Sequence, residues 1–192
     1  MSQWKPTPAE LVDARDNTLP DVIAPGLRVL FCGINPGVYS TAVGRHFGRP
    51  GNRFWSTLYL AGLTPRLLTP EEDHELLTWG FGLTNIVART TTVAADLTRE
   101  ELRTGQMVLD AKVRHFAPRV LAILGISAYR IAFAQPRAKI GRQDSPYPNT
   151  DLWVLPNPSG LNAHYQLADL AQWFRIACAV TVASGSLKAR HV

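Results

Sequence analysis

Four short apolar runs, separated by segments with helical signals, constrain most strongly what this chain can fold into. The runs cover residues 28–34, 81–87, 120–125 and 152–155. Such runs are typical of strands that are buried on both faces. Helices are predicted before, between and after them, from about Thr7 and over 52–61, 69–78, 98–116, 127–134 and 165–182. This alternation predicts an α/β fold, a three-layer sandwich with a mainly parallel central sheet of about four strands flanked by helices.

The length and composition of the chain predict one folded domain over residues 1–192. Hydrophobic residues make up 46% of the 192 residues and charged residues 18%, which is a globular composition. The core is expected over 23–182. The N-terminal part, 1–22, and the C-terminal part, 183–192, are expected to be peripheral or flexible. The segment 136–149 is rich in proline and arginine and is predicted to be a loop.

Several classes of protein are disfavoured by what the sequence lacks. No run of eighteen apolar residues predicts a transmembrane helix, and no basic segment followed by an apolar run predicts a secretory signal. The two cysteines, Cys32 and Cys178, are far apart, and the five histidines are scattered. We therefore expect no membrane association, no metal, no cofactor and a cytoplasmic protein.

The positive charge is unevenly distributed along the chain. No acidic residue lies between Asp21 and Glu71, although five arginines do, and the stretch 111–143 is acid-free with seven basic residues. Such segregation predicts a surface that attracts a polyanion. Ordinary solvated arginines would give the same pattern, so the charge alone does not decide between these interpretations.

Two loops with an Asn-Pro pair directly follow predicted strands. The first contains Asn35, which Pro36 biases away from helical geometry, and the second runs over 157–162. In parallel sheets, ligands bind at the carboxyl ends of the strands. An asparagine there either orients a reactant or only satisfies its own turn. Leu161, an apolar residue in a polar loop, either fills a gap in a base stack or packs on the following helix.

The order of these motifs resembles a known family. Gly-Ile-Asn-Pro-Gly at 33–37, Asn-Arg-Phe-Trp at 52–55 and Asn-Pro-Ser-Gly-Leu at 157–161 resemble the mismatch-specific uracil/thymine DNA glycosylases. These form the bacterial G/U mismatch-specific branch of the uracil-DNA glycosylase superfamily. The resemblance extends over 23–182 and also includes segments 24–29, 121–125 and 153–156.

The resemblance implies roles for particular residues. It implies that Asn35 positions the attacking water, that Phe47 stacks on the flipped base and that Leu161 is the wedge. The residues expected to form the base pocket are Ile34, Gly37, Ser40, Phe47 and Asn85. The residues expected to contact DNA are Asn157, Ser159, Gly160, Leu161 and Asn162, with the backbone of Gly160 and Asn162 at the widowed guanine.

The implied function is that of a DNA repair enzyme. Such a monofunctional N-glycosylase flips uracil out of a G·U-type mismatch, hydrolyses its glycosidic bond and leaves an abasic site. Thymine and etheno-cytosine are further candidate bases. The expected partner is double-stranded DNA that contains mismatched uracil, and the expected state is a monomer. Because asparagine orients water but is a poor base, slow turnover is expected.

Asp96 is a second candidate catalytic residue. It lies in the loop after the second apolar run, so its carboxylate could act as general base for the water. Alternatively, it only favours the start of the helix that Thr98 caps.

Two other functions remain compatible with the sequence. One is a non-catalytic nucleic-acid-binding protein that uses the same basic surface and wedge loop. The other is an α/β enzyme that acts on a small phosphorylated ligand, although the sequence contains neither a Gly-x-Gly-x-x-Gly motif nor a P-loop lysine motif.

Overall fold

The computed structural model of the protein describes residues 5–186, with side chains described up to residue 179. Five strands form one sheet: β1 (Val29–Gly33), β2 (Phe81–Asn85), β3 (Val120–Leu124), β4 (Gly141–Gln143) and β5 (Asp151–Leu155). The strand order is β2-β1-β3-β5-β4. Strands β2, β1, β3 and β5 are parallel, and β4 pairs antiparallel with β5. The predicted α/β fold with a mainly parallel sheet is confirmed.

The prediction that 136–149 is only a loop is wrong, because β4 lies within it. This strand has three residues, Gly141, Arg142 and Gln143, and it pairs with Leu152–Val154 at the edge of the sheet. Because β4 is short, polar and covered on one side only, it shows neither an apolar run nor an alternating pattern.

Helices cover both faces of the sheet. They are α1 (Pro8–Asp13), α2 (Val38–Ala42), α3 (Phe54–Leu60), α4 (Arg99–Phe116), α5 (Ile126–Ala132) and α6 (Leu167–Ser186), with two 3-10 segments at Pro70–Trp79 and Ala94–Asp96. Helices α3 and α6 pack together on one face, and α4 and α5 pack together on the other. The three layers are therefore as predicted.

Alternation along the strands fills both interfaces of the sandwich. On β1, Phe31 points to the α3–α6 side, where its ring stacks on Phe174 at 5.2 Å between centroids. Its neighbours Leu30 and Cys32 point to the α4–α5 side, towards Leu109. Because successive side chains point to opposite faces, an uninterrupted apolar run supplies two cores at once.

The helix bounds differ in detail from the predicted ones. The segment 70–79 is a 3-10 helix with a kink at Glu72, and α2 was not predicted because five residues give no periodicity. The α4 capping box is as predicted, with the Thr98 hydroxyl accepting from the Glu101 N–H at 3.1 Å.

The N-terminal segment lies closer to the sheet than the sequence predicts. Val22 exchanges backbone hydrogen bonds with Leu83 of β2, and Leu19 is buried. At the other end, α6 continues through Ser186, and residues 187–192 lie outside the described part. Among the described residues, no helix is both long and apolar enough to cross a membrane.

Candidate active site

A cavity of about 150 Å³ lies at the carboxyl edge of the sheet; we call it the base cavity. Its lining includes Asn35 after β1, Asn85 at the end of β2, Leu124 at the end of β3 and Asn157 after β5. The chain passes from β1 to β2 on one side and then to β3 on the other, so the strand order reverses beside β1. This is the position at which open α/β sheets bind their ligands.

The Asn35 amide is fixed by the loop that follows β2. Its Nδ2 donates to the Arg89 carbonyl at 3.0 Å and to Thr91 Oγ1 at 2.7 Å, while the Thr91 hydroxyl donates to the Val93 carbonyl. Because a carbonyl can only accept, the atom that faces Arg89 must be the nitrogen. Both amide hydrogens are therefore used, and Asn35 Oδ1 is the acceptor left for a ligand.

Backbone hydrogen bonds join the same two loops. The Val87 N–H donates to the Ile34 carbonyl at 3.0 Å, and the Thr91 N–H donates to the Pro36 carbonyl at 3.1 Å. The Val38 N–H then donates to the Thr91 carbonyl at 3.2 Å. The β1–β2 pairing thus continues past the strands, which holds the Asn35 loop on both sides of that residue.

Asn85 brings a buried amide to the base cavity. Asn85 is 8% exposed, and its side chain has no hydrogen-bond partner among the described residues. Its Oδ1 lies against Gly33, where a Cβ would collide with it. Because Asn85 lines the base cavity and its amide has no partner within the described protein, it is suited to bind a polar group of a ligand.

The predicted aromatic residue of the pocket is present. Phe47 lines the base cavity and stacks on Phe54 at 4.0 Å between ring centroids and 16° between ring planes. Its φ of 52° lies in the left-handed region, which is unusual for phenylalanine. Ser40 supports this turn, because its Oγ accepts from the Gly48 N–H at 3.1 Å.

The other predicted pocket residues, Ile34 and Gly37, also line the base cavity. His46 lines it too, although it was not predicted. Its Nε2 lies 2.9 Å from the Pro20 carbonyl, and burial lowers the pKa of the imidazole. His46 is therefore a neutral donor to Pro20 at neutral pH, and it ties the Phe47 turn to the N-terminal segment.

The structure does not bring Asp96 to the base cavity. Asp96 is exposed, does not line the cavity, and accepts from the Val93 N–H through Oδ2 at 3.2 Å. Within the described part of the chain, no aspartate or glutamate lines the base cavity. The geometry therefore favours the helix-start interpretation of Asp96 over the general-base interpretation.

The second Asn-Pro loop, 157–162, lies beside the cavity. Asn157 Oδ1 accepts from the Ser159 N–H at 2.9 Å, and the Asn162 Nδ2 donates to the Asn157 carbonyl at 2.9 Å. Asn157 and Ser159 line the base cavity, whereas Gly160 and Leu161 lie beyond it. The loop is thus folded onto itself by its own side chains.

Leu161 does not pack on the following helix. It is 73% exposed, and it lines a separate groove, the wedge groove, together with the nearby 49–52 segment. A Cβ on Gly160 would lie 2.6 Å from the Gly51 carbonyl oxygen, so only glycine fits where the loop crosses that segment. An exposed leucine on a fixed backbone is suited to the predicted wedge.

Arg53 holds the 157–162 loop, which we call the wedge loop, in place, and the sequence did not predict this role. Its guanidinium donates to four backbone carbonyls, those of Pro158 at 3.4 Å, Tyr165 at 2.6 Å, and Ser159 and Asn162 at 2.8 Å. The only signal in the sequence was the Asn-Arg-Phe-Trp motif, which contains Arg53 but gives no role for it.

Several basic residues of the acid-free segments form ion pairs. Acidic residues that are distant in sequence or one helical turn away pair with them. The pairs are Arg45–Asp73, Arg66–Glu72, Lys112–Asp21, Arg114–Asp110 and Arg142–Asp151. Five of the twelve basic residues in these segments are therefore paired with an acidic residue, and a surface that attracts a polyanion stays a prediction.

Comparisons with known proteins show the family and the fold of this chain. The profile of the uracil DNA glycosylase superfamily matches residues 20–179, which is most of the chain. The fold is similar to the solution NMR structure of a uracil DNA glycosylase candidate from Methanosarcina acetivorans, with a TM-score of 0.58 and 19% sequence identity. That match covers 84% of this chain and 98% of the other chain. The superfamily resemblance is confirmed, whereas the mismatch-specific branch stays a prediction.

Proposed function

This chain belongs to the uracil DNA glycosylase superfamily, and from this premise we propose that it excises uracil from G·U mismatches in double-stranded DNA. The reaction hydrolyses the N-glycosidic bond and leaves an abasic site. The observation that carries the proposal is the Asn35 amide, whose two hydrogens are bound by the neighbouring loop so that Oδ1 remains as an acceptor.

The first step is extrusion of the base. Flipping a nucleotide costs about a few kcal/mol, and less for a poorly paired base such as uracil in a wobble pair. Phe47 offers an aromatic face in the base cavity on which the extruded ring can stack. Leu161 fills the space that the base leaves in the duplex, because it projects from a loop that Arg53 holds.

The second step is attack by water on the sugar. Asn35 Oδ1 accepts a hydrogen from the water, which turns an oxygen lone pair towards the anomeric carbon as the glycosidic bond breaks. The sugar becomes oxocarbenium-like, so the water needs orientation more than deprotonation. The water loses its proton to solvent, and uracil leaves as an anion that solvent protonates. Slow turnover follows, because an amide does not remove the proton itself.

The third element is recognition of the leaving base. The Asn85 amide has one donor and one acceptor group without partners, which matches the carbonyl and N–H of the uracil imide edge. A hydrogen bond from Asn85 Nδ2 to a uracil oxygen also stabilises the negative charge that develops on the departing base.

A second candidate function is DNA binding without catalysis. The observation that favours it is the absence of aspartate and glutamate from the described lining of the base cavity. Such a protein would use the same wedge and cavity to hold a flipped base without releasing it.

Base release separates the two candidates. We would follow cleavage at abasic sites in labelled strands that contain G·U, A·U, G·T or single-stranded uracil. The expected result is excision that is fastest from G·U. No release from any substrate would leave the non-catalytic candidate, and equal rates on G·U and A·U would remove the mismatch preference.

The proposed acting unit is a monomer. Asn35, Asn85 and Leu161 come from one chain, so the proposed site needs no residue from a second copy. Light scattering of the free protein and of its complex with a short G·U duplex is expected to give one copy in each.

A further inference from the structure

The base cavity and the wedge groove meet along a ridge of three side chains. Arg49, Asn52 and Ser159 are the residues that the two linings share, and we call them the donor ridge. They carry a guanidinium, an amide and a hydroxyl group. All three groups can donate hydrogen bonds, and none is a carboxylate.

The donors of the ridge are left available by the fold. Asn52 Oδ1 accepts from the Phe54 N–H at 3.0 Å, which leaves the amide hydrogens of Asn52 unused. Ser159 Oγ accepts from the Leu161 N–H at 3.3 Å, so its hydroxyl hydrogen is also free to point outwards. The Arg49 guanidinium is exposed and has no hydrogen bond or ion pair with another described residue.

Arg49 differs in this respect from its neighbours in sequence. Arg45 pairs with Asp73 at 2.9 Å, and the Arg53 guanidinium donates its hydrogen bonds to carbonyls of the wedge loop. In the part of the chain that the structure describes, Arg49 is also the one Lys, Arg, Asp or Glu that lines either the base cavity or the wedge groove. An unpaired guanidinium among neutral donors is the chemistry that binds an anion.

We propose that the donor ridge binds the phosphodiester group next to the flipped nucleotide. This inference rests on the proposed function. When the base occupies the base cavity and Leu161 occupies its former place in the stack, the strand that carries the nucleotide must cross between the two. The ridge is that crossing, and a phosphate offers only acceptors to its three donors.

One other anion could occupy this position, namely the departing uracil itself. A guanidinium that stabilised the leaving base would act on the chemical step, whereas one that bound a phosphate would act on affinity and on its salt dependence. The two sources are therefore distinguishable by experiment.

The test combines substitution of one side chain with neutralisation of one phosphate and measures binding for each combination. The probe is a duplex with 2′-fluoro-deoxyuridine opposite guanine, in which the electron-withdrawing fluorine slows bond breakage so that equilibrium binding can be measured. The phosphate on each side of this nucleotide is replaced in turn by a neutral methylphosphonate. Wild type, Arg49→Gln and Asn52→Asp are compared, since aspartate keeps the acceptor for Phe54 but replaces the donor by a charge.

We expect neutralisation of one of these phosphates to weaken wild-type binding about tenfold, as does Arg49→Gln on the natural duplex. Arg49→Gln should show no further loss on the neutralised duplex, and its slope of log affinity against log salt should fall by about 0.9. Asn52→Asp should bind the natural duplex more weakly than the wild type, and the neutralised one with a smaller deficit. As a control, Arg119→Gln removes an exposed charge at the opposite edge of the sheet and should keep the full methylphosphonate effect.

The proposal is overturned if Arg49→Gln keeps the full methylphosphonate effect at both positions. It is also overturned if Arg49→Gln leaves affinity unchanged but slows uracil release at saturating enzyme, which would assign Arg49 to the leaving base. Wild-type release from an ordinary G·U duplex tests the proposed function separately. If Arg49→Gln abolishes the methylphosphonate effect but the wild type releases no uracil, the phosphate site stands and the proposed function fails. If the wild type releases uracil but Arg49→Gln keeps the methylphosphonate effect, the proposed function stands and the phosphate site fails.

Discussion

The loop after β1 and the loop after β5 begin with the same Asn-Pro pair and meet at one cavity, yet they are held in different ways. The first, around Asn35, is bound along its length to the loop after β2. The second, 157–162, is held by its own side chains and by a single guanidinium from Arg53. The same dipeptide thus reaches two different environments at one edge of the sheet.

The two asparagines differ in the hydrogen-bond partners that surround them. Asn157 Oδ1 accepts from the Ser159 N–H two residues later, which is a local turn. Asn35 instead donates to residues more than fifty positions away, and this fixes its free oxygen. The first loop fixes the direction of one atom, Asn35 Oδ1. The second loop holds the exposed Leu161 on a fixed backbone.

The largest effect is expected from Asn35→Ala. Loss of the oriented water should slow single-turnover uracil release about 100-fold or more. Affinity for a G·U duplex should stay near wild type, because the proposed DNA contacts of Leu161 and the donor ridge are retained. Single-turnover rates and equilibrium binding check this result. An equal fall in rate and affinity would make Asn35 a binding residue.

Arg53→Lys should have the next largest effect. Lysine keeps the charge but cannot reach four carbonyls at once, so the wedge loop loses its fixed position. We expect a loss of about tenfold in excision from duplex, measured as kcat/KM. Arg66→Lys is the matched control, since Arg66 makes only surface ion pairs with Glu72 and Glu75, and it should leave kcat/KM unchanged.

Leu161→Ala should slow excision from duplex several-fold, because the gap in the stack is filled less well. Any activity on single-stranded uracil should fall less, since no stack remains to be filled. Parallel assays on the two substrates give the ratio. If Leu161→Ala lowered the excision rate by the same factor on duplex and on single-stranded DNA, the wedge role would be contradicted.

Glu101→Gln tests the support of the first loop. Arg89, and then Thr98, lower the pKa of Glu101 to about 2 from 4.5, and the Arg89 carbonyl anchors Asn35. Since the folded pKa is depressed, this carboxylate stabilises the fold above about pH 4.5, and the contribution is lost as pH falls through 2. Glu101→Gln should therefore lower the free energy of unfolding at pH 7. That difference should vanish in denaturant titrations near pH 2, and a difference that did not depend on pH would contradict it.

The smallest effect is expected from Asp96→Asn. Its carboxylate is exposed and accepts only from the Val93 N–H, a bond that the amide oxygen of asparagine can replace. Single-turnover rates between about pH 5 and 9 should stay within about twofold of wild type. Loss of a rate limb that rises with pH would restore the general-base interpretation.

These contrasts mark what the sequence could predict. The sheet and the place of Asn35 were predictable, because apolar runs signal buried strands and a residue directly after β1 must lie at its carboxyl edge. The unusual position of Leu161 was predictable, because it is an apolar residue in a polar loop. The structure leaves it exposed. The support of its loop by Arg53 was not predictable, because binding to carbonyls a hundred residues away leaves no local pattern.

The ion pairs of the basic residues could not be predicted for the same reason. Arg45 meets Asp73 and Lys112 meets Asp21 only after folding, so an acid-free stretch of sequence did not predict an acid-free surface. Asp96 shows that the position of a residue in a loop does not predict where its side chain points. Its distance in sequence from β2 allowed it to reach the cavity, but its side chain faces its own turn.

The central claim is that the two loops act in separate steps, and a double-mutant cycle tests it most directly. The measurement is kcat/KM for uracil release from a G·U duplex by wild type, Asn35→Ala, Leu161→Ala and the double variant. If Leu161 favours the flipped state and Asn35 acts only on the bond, the two losses multiply, to within about twofold. A double variant no slower than Asn35→Ala alone would contradict the account, because it would mean that both loops serve one and the same step.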